Sequence, residues 1–186
     1  MVTSRRGTAN VEFLDAEENV LARYEITVVY QEATAYPGST AVFKPSEAGF
    51  RDNDESDWEL INSDPSVCEG TLKFVPMDYN GDAVVPVVLL EAKKPGTTVI
   101  TLNYWDSGMY EFQVNVPENA KPDDIVSFKD PMLLYALRET PLWVNGEAQP
   151  SDADGDGYLS ESEMAQFDTI TVSTDYGITD LTGLEY

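Results

Sequence analysis

Acidic side chains recur at short intervals near the C-terminal end of the chain, in residues 152–163. This segment reads D-A-D-G-D-G-Y-L-S-E-S-E, with aspartate at alternate positions and glutamate at the end. Carboxylates held this close repel one another unless a cation lies between them. Gly157 allows the sharp backbone bend that a side chain would oppose. The spacing therefore predicts a tight turn lined with oxygen atoms that binds a cation.

The order of these residues fits the pattern D-x-D-x-D-G-x5-E of an EF-hand calcium loop at every defined position. Ca2+ takes about six to eight oxygen ligands, which such a loop supplies from carboxylates, one backbone carbonyl and a hydroxyl or its water. Leu159 is expected to point away from the ion into a local core. The predicted ligands of Ca2+ are Asp152, Asp154, Asp156, Tyr158 through its carbonyl, Ser160 and Glu163.

The pattern favours a structural ion over a calcium sensor. Sensors pair two loops and open a Met-rich groove, whereas this sequence has one such loop. The acidic residues 52–55 lack the glycine and the spacing, and we interpret them as a solvated loop. An ion that binds only the folded form stabilises that form.

The side chains that most catalytic and transition-metal sites need are missing. The chain of 186 residues has no histidine and one cysteine, Cys68. Ser-His-Asp and Cys-His arrangements are therefore excluded, and so is zinc bound by histidine or by a cysteine cage. An internal disulfide is excluded for the same reason. We predict a protein that binds and is not an enzyme.

The charge of the chain narrows its partners and its location. Acidic residues number 34 against 11 basic ones, for a net charge of −23. Such a surface repels nucleic acid and anionic lipid, so we expect neither as a partner. No apolar run approaches the ~20 residues of a membrane span, so membrane insertion is not expected. Residues 1–10 lack the apolar segment of a signal peptide, so either the chain is cytoplasmic or its signal has been removed.

Short β-branched and aromatic segments separated by turns fill the first part of the chain. In the second of them Tyr24, Ile26 and Val28 alternate with polar residues, which is the period of a half-buried strand. Several such strands predict a mainly β fold, a β-sandwich. Strands are predicted at residues 11–14, 21–30, 40–43, 58–61, 71–75, 84–90, 97–104 and 109–116, with a hairpin turn at 15–19.

The pattern changes after residue 117. We predict a β-sandwich over residues 1–117, a polar linker interrupted by proline over 118–124, and a small helical unit over 125–186. In this last unit Asp130 suits a helix N-cap and Pro131 the first turn.

That first helix is expected to run to residue 138. A second, short helix is predicted from Ser160 to about residue 167. The next strand-like pattern, Ile-Thr-Val, follows at residues 170–172.

Motifs along the first domain carry a resemblance to a known family. They are P-G-S-T at 37–40, D-W at 57–58, S-D-P-S-V at 63–67, A-K-K-P-G-T-T-V-I-T at 92–101 and F-Q-V-N-V at 112–116. Over residues 22–116 the chain resembles bacterial Ig-like domains of the BIG2 type, although residues 68–87 are longer and less regular than that family's. The resemblance implies an Ig-like β-sandwich of the kind that forms spacers or adhesive modules in bacterial surface proteins.

A second resemblance covers the C-terminal unit. It rests on I-V-S-F-K-D-P at 125–131, the acidic loop, and I-T-D-L-T-G-L-E-Y at 178–186. These stretches resemble the EF-hand-like N-terminal cap and first turn of internalin-like leucine-rich-repeat proteins, although the spacing between 172 and 178 is slightly longer than that family's. Because a solenoid needs about three repeats to bury its core, we expect further repeats after Tyr186.

Together the two resemblances imply a secreted or cell-surface bacterial protein whose signal peptide has been removed. The expected function is that of a monomeric, non-catalytic spacer or adhesion module with a structural Ca2+. Its partner would be a protein or glycan ligand on a host or neighbouring cell.

Two alternative functions remain open at this stage. Dockerins of cellulosomes also use such calcium loops, although they carry two of them. A carbohydrate-binding β-sandwich is the other alternative, with Trp58, Tyr104 and Trp105 stacking on sugar rings instead of packing within the protein.

Overall fold

The structure is a computed structural model that describes residues 7–16, 18–28, 31–45, 58–76, 84–104, 108–145, 147–172 and 176–185. The strands of its first part are β1 (Gly7–Leu14), β2 (Val20–Val28), β3 (Gln31–Thr34), β4 (Thr40–Phe43), β5 (Trp58–Asn62), β6 (Cys68–Pro76), β7 (Val84–Ala92), β8 (Gly96–Tyr104) and β9 (Gly108–Val116). The elements that follow are α1 (Pro131–Glu139), β10 (Leu142–Val144), β11 (Glu147–Gln149) and α2 (Glu161–Met164). Among these described residues, no helix is long and apolar enough to cross a bilayer.

Two packed sheets form the main body, which confirms the predicted mainly β fold. One sheet has four strands in the order β3-β9-β8-β5, and the other has three in the order β4-β7-β6. The rings of Phe43 in one sheet and Phe112 in the other stack with centroids 3.9 Å apart. Alternate residues of β8, namely Thr98, Ile100 and Leu102, are buried between the sheets, as the two-residue period of a strand requires.

The strand β7 is buried on both of its faces. Val85 to Val88 are all buried. Val88 faces the sandwich core, whereas Val85 and Val87 pack on the opposite side against Met132 and Tyr135 of α1. A strand covered on both faces reads as a continuous apolar run, which explains the sequence V-V-P-V-V-L-L. The helix α1 is therefore the outer layer of the three-stranded sheet.

The hairpin β1-β2 forms a two-stranded sheet of its own. Its turn is held by Asn19, whose backbone N donates to Asp15 Oδ1 at 2.9 Å. The strand predicted at residues 21–30 is present as Val20–Val28, with residues 29 and 30 outside the described part of the chain, but it pairs with β1 and not with the sandwich strands. The hairpin leaves large apolar side chains exposed, namely Phe13, Leu14, Val20, Leu21 and Tyr24.

Several elements differ from the sequence prediction. The strands β3, β10 and β11 were not predicted because each has only three or four residues, too few to show a periodic pattern, although Leu142 of β10 is buried. The predicted second helix is cut short at Met164, because the Phe167 N–H bonds the Met164 carbonyl in a tight turn. No strand forms at residues 170–172, where the chain runs without regular structure.

Asp130 ties the C-terminal end of the described chain to α1. Its Oδ1 accepts from the Met132 N–H at 2.9 Å and caps the helix as predicted. Its Oδ2 accepts from the backbone N–H of Thr179 at 2.7 Å and from the Thr179 hydroxyl at 3.1 Å. Burial by itself raises the pKa of Asp130, but these hydrogen bonds outweigh it and hold the pKa below its ordinary value. Both oxygens are thus used, which makes Asp130 a cross-link between distant segments.

We expect Asp130→Ala to lower the free energy of unfolding by about 1–3 kcal/mol, because the helix loses its cap and Thr179 loses its acceptor. Urea denaturation followed by circular dichroism measures this loss. Asp123→Asn is the matched control, since Asp123 is exposed, and it is expected to change stability by no more than about 0.5 kcal/mol. Equal effects of the two substitutions would contradict the cross-link.

The Asp130 contribution should depend on pH. A carboxyl whose pKa is lowered by folding contributes stability above its unfolded pKa, here 3.8, and loses it as the pH falls through the folded pKa. We therefore expect the stability difference between the wild type and Asp130→Ala to be constant near neutral pH and to shrink below about pH 3.8. Urea titrations at a series of pH values test this, and a difference independent of pH would contradict it.

Candidate metal centre

The three aspartates of the acidic loop converge in the structure. Asp152, Asp154 and Asp156 each place one carboxylate oxygen within 4.8 Å of the others. Among the residues that the structure describes, this is the one group of three such ligands. The alternate spacing of these residues predicted the convergence, and the other acidic run, residues 52–55, lies outside the described residues.

Glycines and aspartate side chains shape the bend of the loop. Gly155 and Gly157 adopt positive φ angles of 73° and 92°, which side-chain-bearing residues rarely take. The N–H of Asp156 donates to Asp154 Oδ1 at 3.1 Å, and the N–H of Tyr158 donates to Asp156 Oδ1 at 2.8 Å. In each case the aspartate side chain accepts from the N–H two residues later, which stabilises a tight turn of the backbone.

Glu163 closes the loop from the first turn of α2. Its Oε1 accepts from the N–H of Ala153 at 2.8 Å, and its Oε2 accepts from the N–H and the hydroxyl of Ser160, each at 2.8 Å. Burial by itself raises the pKa of Glu163, but the hydrogen bonds from Ser160 and Ala153 outweigh it and lower that pKa. Glu163 therefore joins the two ends of the loop and holds its carboxylate in the charged form.

Asp152 has one satisfied and one unsatisfied oxygen. Its Oδ2 accepts from Arg138 Nε at 3.0 Å and from the N–H of Gly157 at 3.0 Å. Its Oδ1 is buried and has no hydrogen-bond partner. Only 9% of the Asp152 side chain is exposed. A buried oxygen without a partner is costly and rare, and a cation ligated by this oxygen would satisfy it. The residues present therefore fit a bound cation.

The charges around Asp156 agree with this fit. Its pKa is raised, first by burial and then by the negative charges of Asp154, Asp152 and Glu163, against the one N–H of Tyr158. The neighbouring carboxylates therefore disfavour the charged form of Asp156, as expected when like charges share a small volume. A divalent cation among them would reverse this effect.

The remaining predicted ligands lie where the loop meets the rest of the molecule. Tyr158 is buried, and its hydroxyl accepts from the N–H of Tyr36 at 3.2 Å. Ser160 caps α2 and shares a capping box with Glu163. Leu159 is fully buried, as predicted, and its carbonyl accepts from the N–H of Val126 at 2.8 Å.

Arg138, which contacts the loop from α1, is a residue of the site that the sequence did not indicate. It lies on the last turn of α1, and its guanidinium contacts both Asp152 and the Val42 carbonyl, the latter at 2.9 Å from Nη1. Spacing gave no signal of this, because the three residues are far apart along the chain and meet only through folding.

Of the three candidate sugar-stacking residues, the structure describes Trp58 and Tyr104. Trp58 packs against Tyr104, with ring centroids 4.7 Å apart, and against Phe74 at 6.3 Å. Trp105 lies outside the described residues. The rings of Trp58 and Tyr104 are thus engaged with each other on the four-stranded sheet.

Comparisons with known proteins add little to this geometry. No protein-family model matches the chain, and no curated protein does. Among solved structures, domains 4 and 5 of the S-layer protein SbsC align with a TM-score of 0.35 and 15% identity over 60% of this chain and 66% of that one. The solution structure of Amebosin aligns with a TM-score of 0.30 and 14% identity over 46% of this chain and 87% of that one. The chain thus spans just under two thirds of the S-layer structure, and similarities of this size carry no argument about function.

We expect Glu163→Gln to lower the free energy of unfolding by about 1–3 kcal/mol in chelator, because an amide group would place N–H donors against the donors of Ser160 or Ala153. Urea denaturation in chelator measures this. Glu161→Gln is the control, since Glu161 is exposed on the same short helix, and a change of about 0.5 kcal/mol or less is expected there. A Glu163→Gln variant as stable as Glu161→Gln would show that the carboxylate does not hold the loop closed.

Proposed function

We propose that this chain is a non-catalytic segment of a secreted or cell-surface bacterial protein, a spacer or adhesion module whose C-terminal unit is stabilised by a structural Ca2+. The proposed ligands are Asp152, Asp154, Asp156, the carbonyl of Tyr158, Ser160 and Glu163. The observation that carries the metal site is the convergence of three aspartates together with the buried, unpartnered Oδ1 of Asp152.

The donor atoms favour calcium among biological cations. The cluster and Glu163 offer oxygen, whereas zinc and copper prefer nitrogen or sulfur. Mg2+ is bound with few protein carboxylates and keeps several waters, whereas Ca2+ accepts a flexible shell of many protein oxygens. Several carboxylates in one loop also supply the negative charge that a divalent ion needs.

Packing around the loop favours a structural role over a sensory one. Tyr158, Leu159 and Met164, which lie within and just after the loop, are buried in the same apolar cluster as sandwich residues. An opening of the loop, as in a sensor, would expose these side chains at a cost of about 1.5–3 kcal/mol for each large apolar one. The ion would therefore stabilise one conformation.

The tail after the loop supports a repeat-like C-terminal end. Ile178 and Leu184 pack on the core, while Leu181 is 58% exposed. Gly183 is buried with a φ of 110°, and a Cβ there would lie 2.6 Å from a ring carbon of Phe128. The proposal of an EF-hand-like cap that leads into a leucine-rich repeat is supported by the packing of Ile178 and Leu184 and by the exposure of Leu181, which would meet a following repeat.

Two further points concern the location of the protein and its ligand, namely the calcium affinity expected outside the cell and the contact between Trp58 and Tyr104. Extracellular calcium modules have dissociation constants of about 10⁻⁴–10⁻³ M, a range suited to a permanently occupied site outside the cell. The packing of Trp58 on Tyr104 favours an aromatic cluster within the sheet over a platform for sugar rings. We therefore place the recognition of a protein or glycan ligand outside this pair of rings.

Calorimetry with CaCl2 tests the metal site. We expect one Ca2+ per chain, and an increase in unfolding free energy of about 2.7 kcal/mol at a free calcium concentration a hundredfold above the dissociation constant. The double variant Asp154→Asn/Asp156→Asn should lose at least tenfold in affinity, because two ligand charges are removed. The double variant Asp123→Asn/Asp124→Asn, which removes two exposed charges outside the loop, is the matched control.

Similar losses in both double variants would mean that bulk charge, and not the loop, attracts the ion. No heat of binding and an unchanged melting temperature between CaCl2 and chelator would refute the structural-calcium proposal.

A further inference from the structure

Tyr158 belongs at once to the cation loop and to the contact between the C-terminal unit and the β-sandwich. Its N–H is held by Asp156 within the loop. Its hydroxyl accepts from the Tyr36 N–H at 3.2 Å and lies 3.4 Å from the Thr34 carbonyl, to which it donates. Its ring lies against that of Tyr36, with centroids 5.4 Å apart. The same residue thus connects the loop backbone with the turn between β3 and β4.

Arg138 makes a second connection of the same kind. Nε donates to Asp152 Oδ2 at 3.0 Å, and Nη1 donates to the Val42 carbonyl on β4 at 2.9 Å. Three quarters of the side chain is buried, since 25% remains exposed. Because the guanidinium is planar and rigid, a movement of the Asp152 carboxylate changes the bond to Val42 as well.

A third contact crosses the same boundary without touching the loop. Lys44, next to β4, forms an ion pair with Glu139 at the end of α1, with Nζ and Oε2 2.6 Å apart. We call these three contacts, made by Tyr158, Arg138 and Lys44, the joint. Two of them depend on loop residues and one does not.

We propose that calcium binding in the loop stiffens the joint, so that its two loop-dependent contacts hold the C-terminal unit on the β-sandwich more firmly when the ion is bound, in addition to the apolar packing of α1. This inference rests on the calcium site proposed above. The ion fixes the carboxylate of Asp152 and the backbone of Tyr158, and these are the two loop groups on which the joint depends. Without the ion the carboxylates repel one another, which loosens the hold of the loop on Tyr158 and Arg138. Such coupling of two sites is reciprocal, so the joint in turn strengthens calcium binding.

Amide hydrogen exchange on the full chain tests the coupling. The Tyr36 N–H bonds across the joint to Tyr158, whereas the neighbouring Ala35 N–H bonds within the sandwich to the Asn115 carbonyl at 3.0 Å. With CaCl2 against chelator, measured by NMR, we expect exchange at Tyr36 to slow at least fivefold. Exchange at Ala35 should change by less than twofold.

Two variants separate the loop-dependent contacts from the third one. Tyr158→Phe keeps the loop carboxylates and the backbone carbonyl but removes the hydroxyl, so calcium should still bind, with up to about fivefold weaker affinity, and the calcium effect at Tyr36 should vanish. Lys44→Gln breaks the ion pair outside the loop and should keep that effect. If Tyr158→Phe does not fold, the wild-type comparison of Tyr36 with Ala35 still decides the question.

The possible results distinguish this inference from the proposed function. Calcium binding by calorimetry with unchanged exchange at Tyr36 would overturn the coupling and leave the metal site intact. The absence of calcium binding would overturn both. A calcium effect at Tyr36 that persists in Tyr158→Phe would also overturn the coupling through Tyr158.

Discussion

The crowding of three carboxylates in one turn is the constraint around which the C-terminal unit is built. Asp152, Asp154 and Asp156 lie within 4.8 Å of one another through their oxygens, a separation at which like charges repel strongly. Backbone N–H groups and Arg138 offset part of this repulsion. The unpartnered Oδ1 of Asp152 shows that the offset is incomplete, and the neighbouring carboxylates add to burial in raising the pKa of Asp156. A divalent cation would supply what the protein's own groups leave unmet.

The surroundings explain how a short acidic loop keeps such a shape. Glu163 joins the ends of the loop, and Leu159 anchors its exit in the apolar core. Helix α1 contacts the loop through Arg138. The same helix covers the outer face of the three-stranded sheet. The C-terminal unit is therefore a layer of the folded body and is not joined to the β-sandwich by the linker alone.

This layering also explains features of the sandwich itself. The strand β7 has apolar residues on both faces because one faces the sandwich core and the other faces α1. The hairpin β1-β2 has no such cover from the described residues and leaves its apolar side chains exposed. Apolar side chains of the sandwich are thus buried in two ways, between the two sheets and beneath the C-terminal unit.

The sequence by itself determined the local features. The alternation in β8 and β9, the N-cap at Asp130 and the bend at Gly157 follow from residue types and spacing, because neighbours within a few positions decide them. The loop pattern likewise indicated that the carboxylate oxygens of Asp152, Asp154 and Asp156 converge. Only the tertiary structure decided that the strand at Val20–Val28 pairs outside the sandwich, that Arg138 meets Asp152, and that Tyr158 reaches Tyr36. These contacts join residues that are distant in sequence, and no local period records them, because packing of whole elements brings them together.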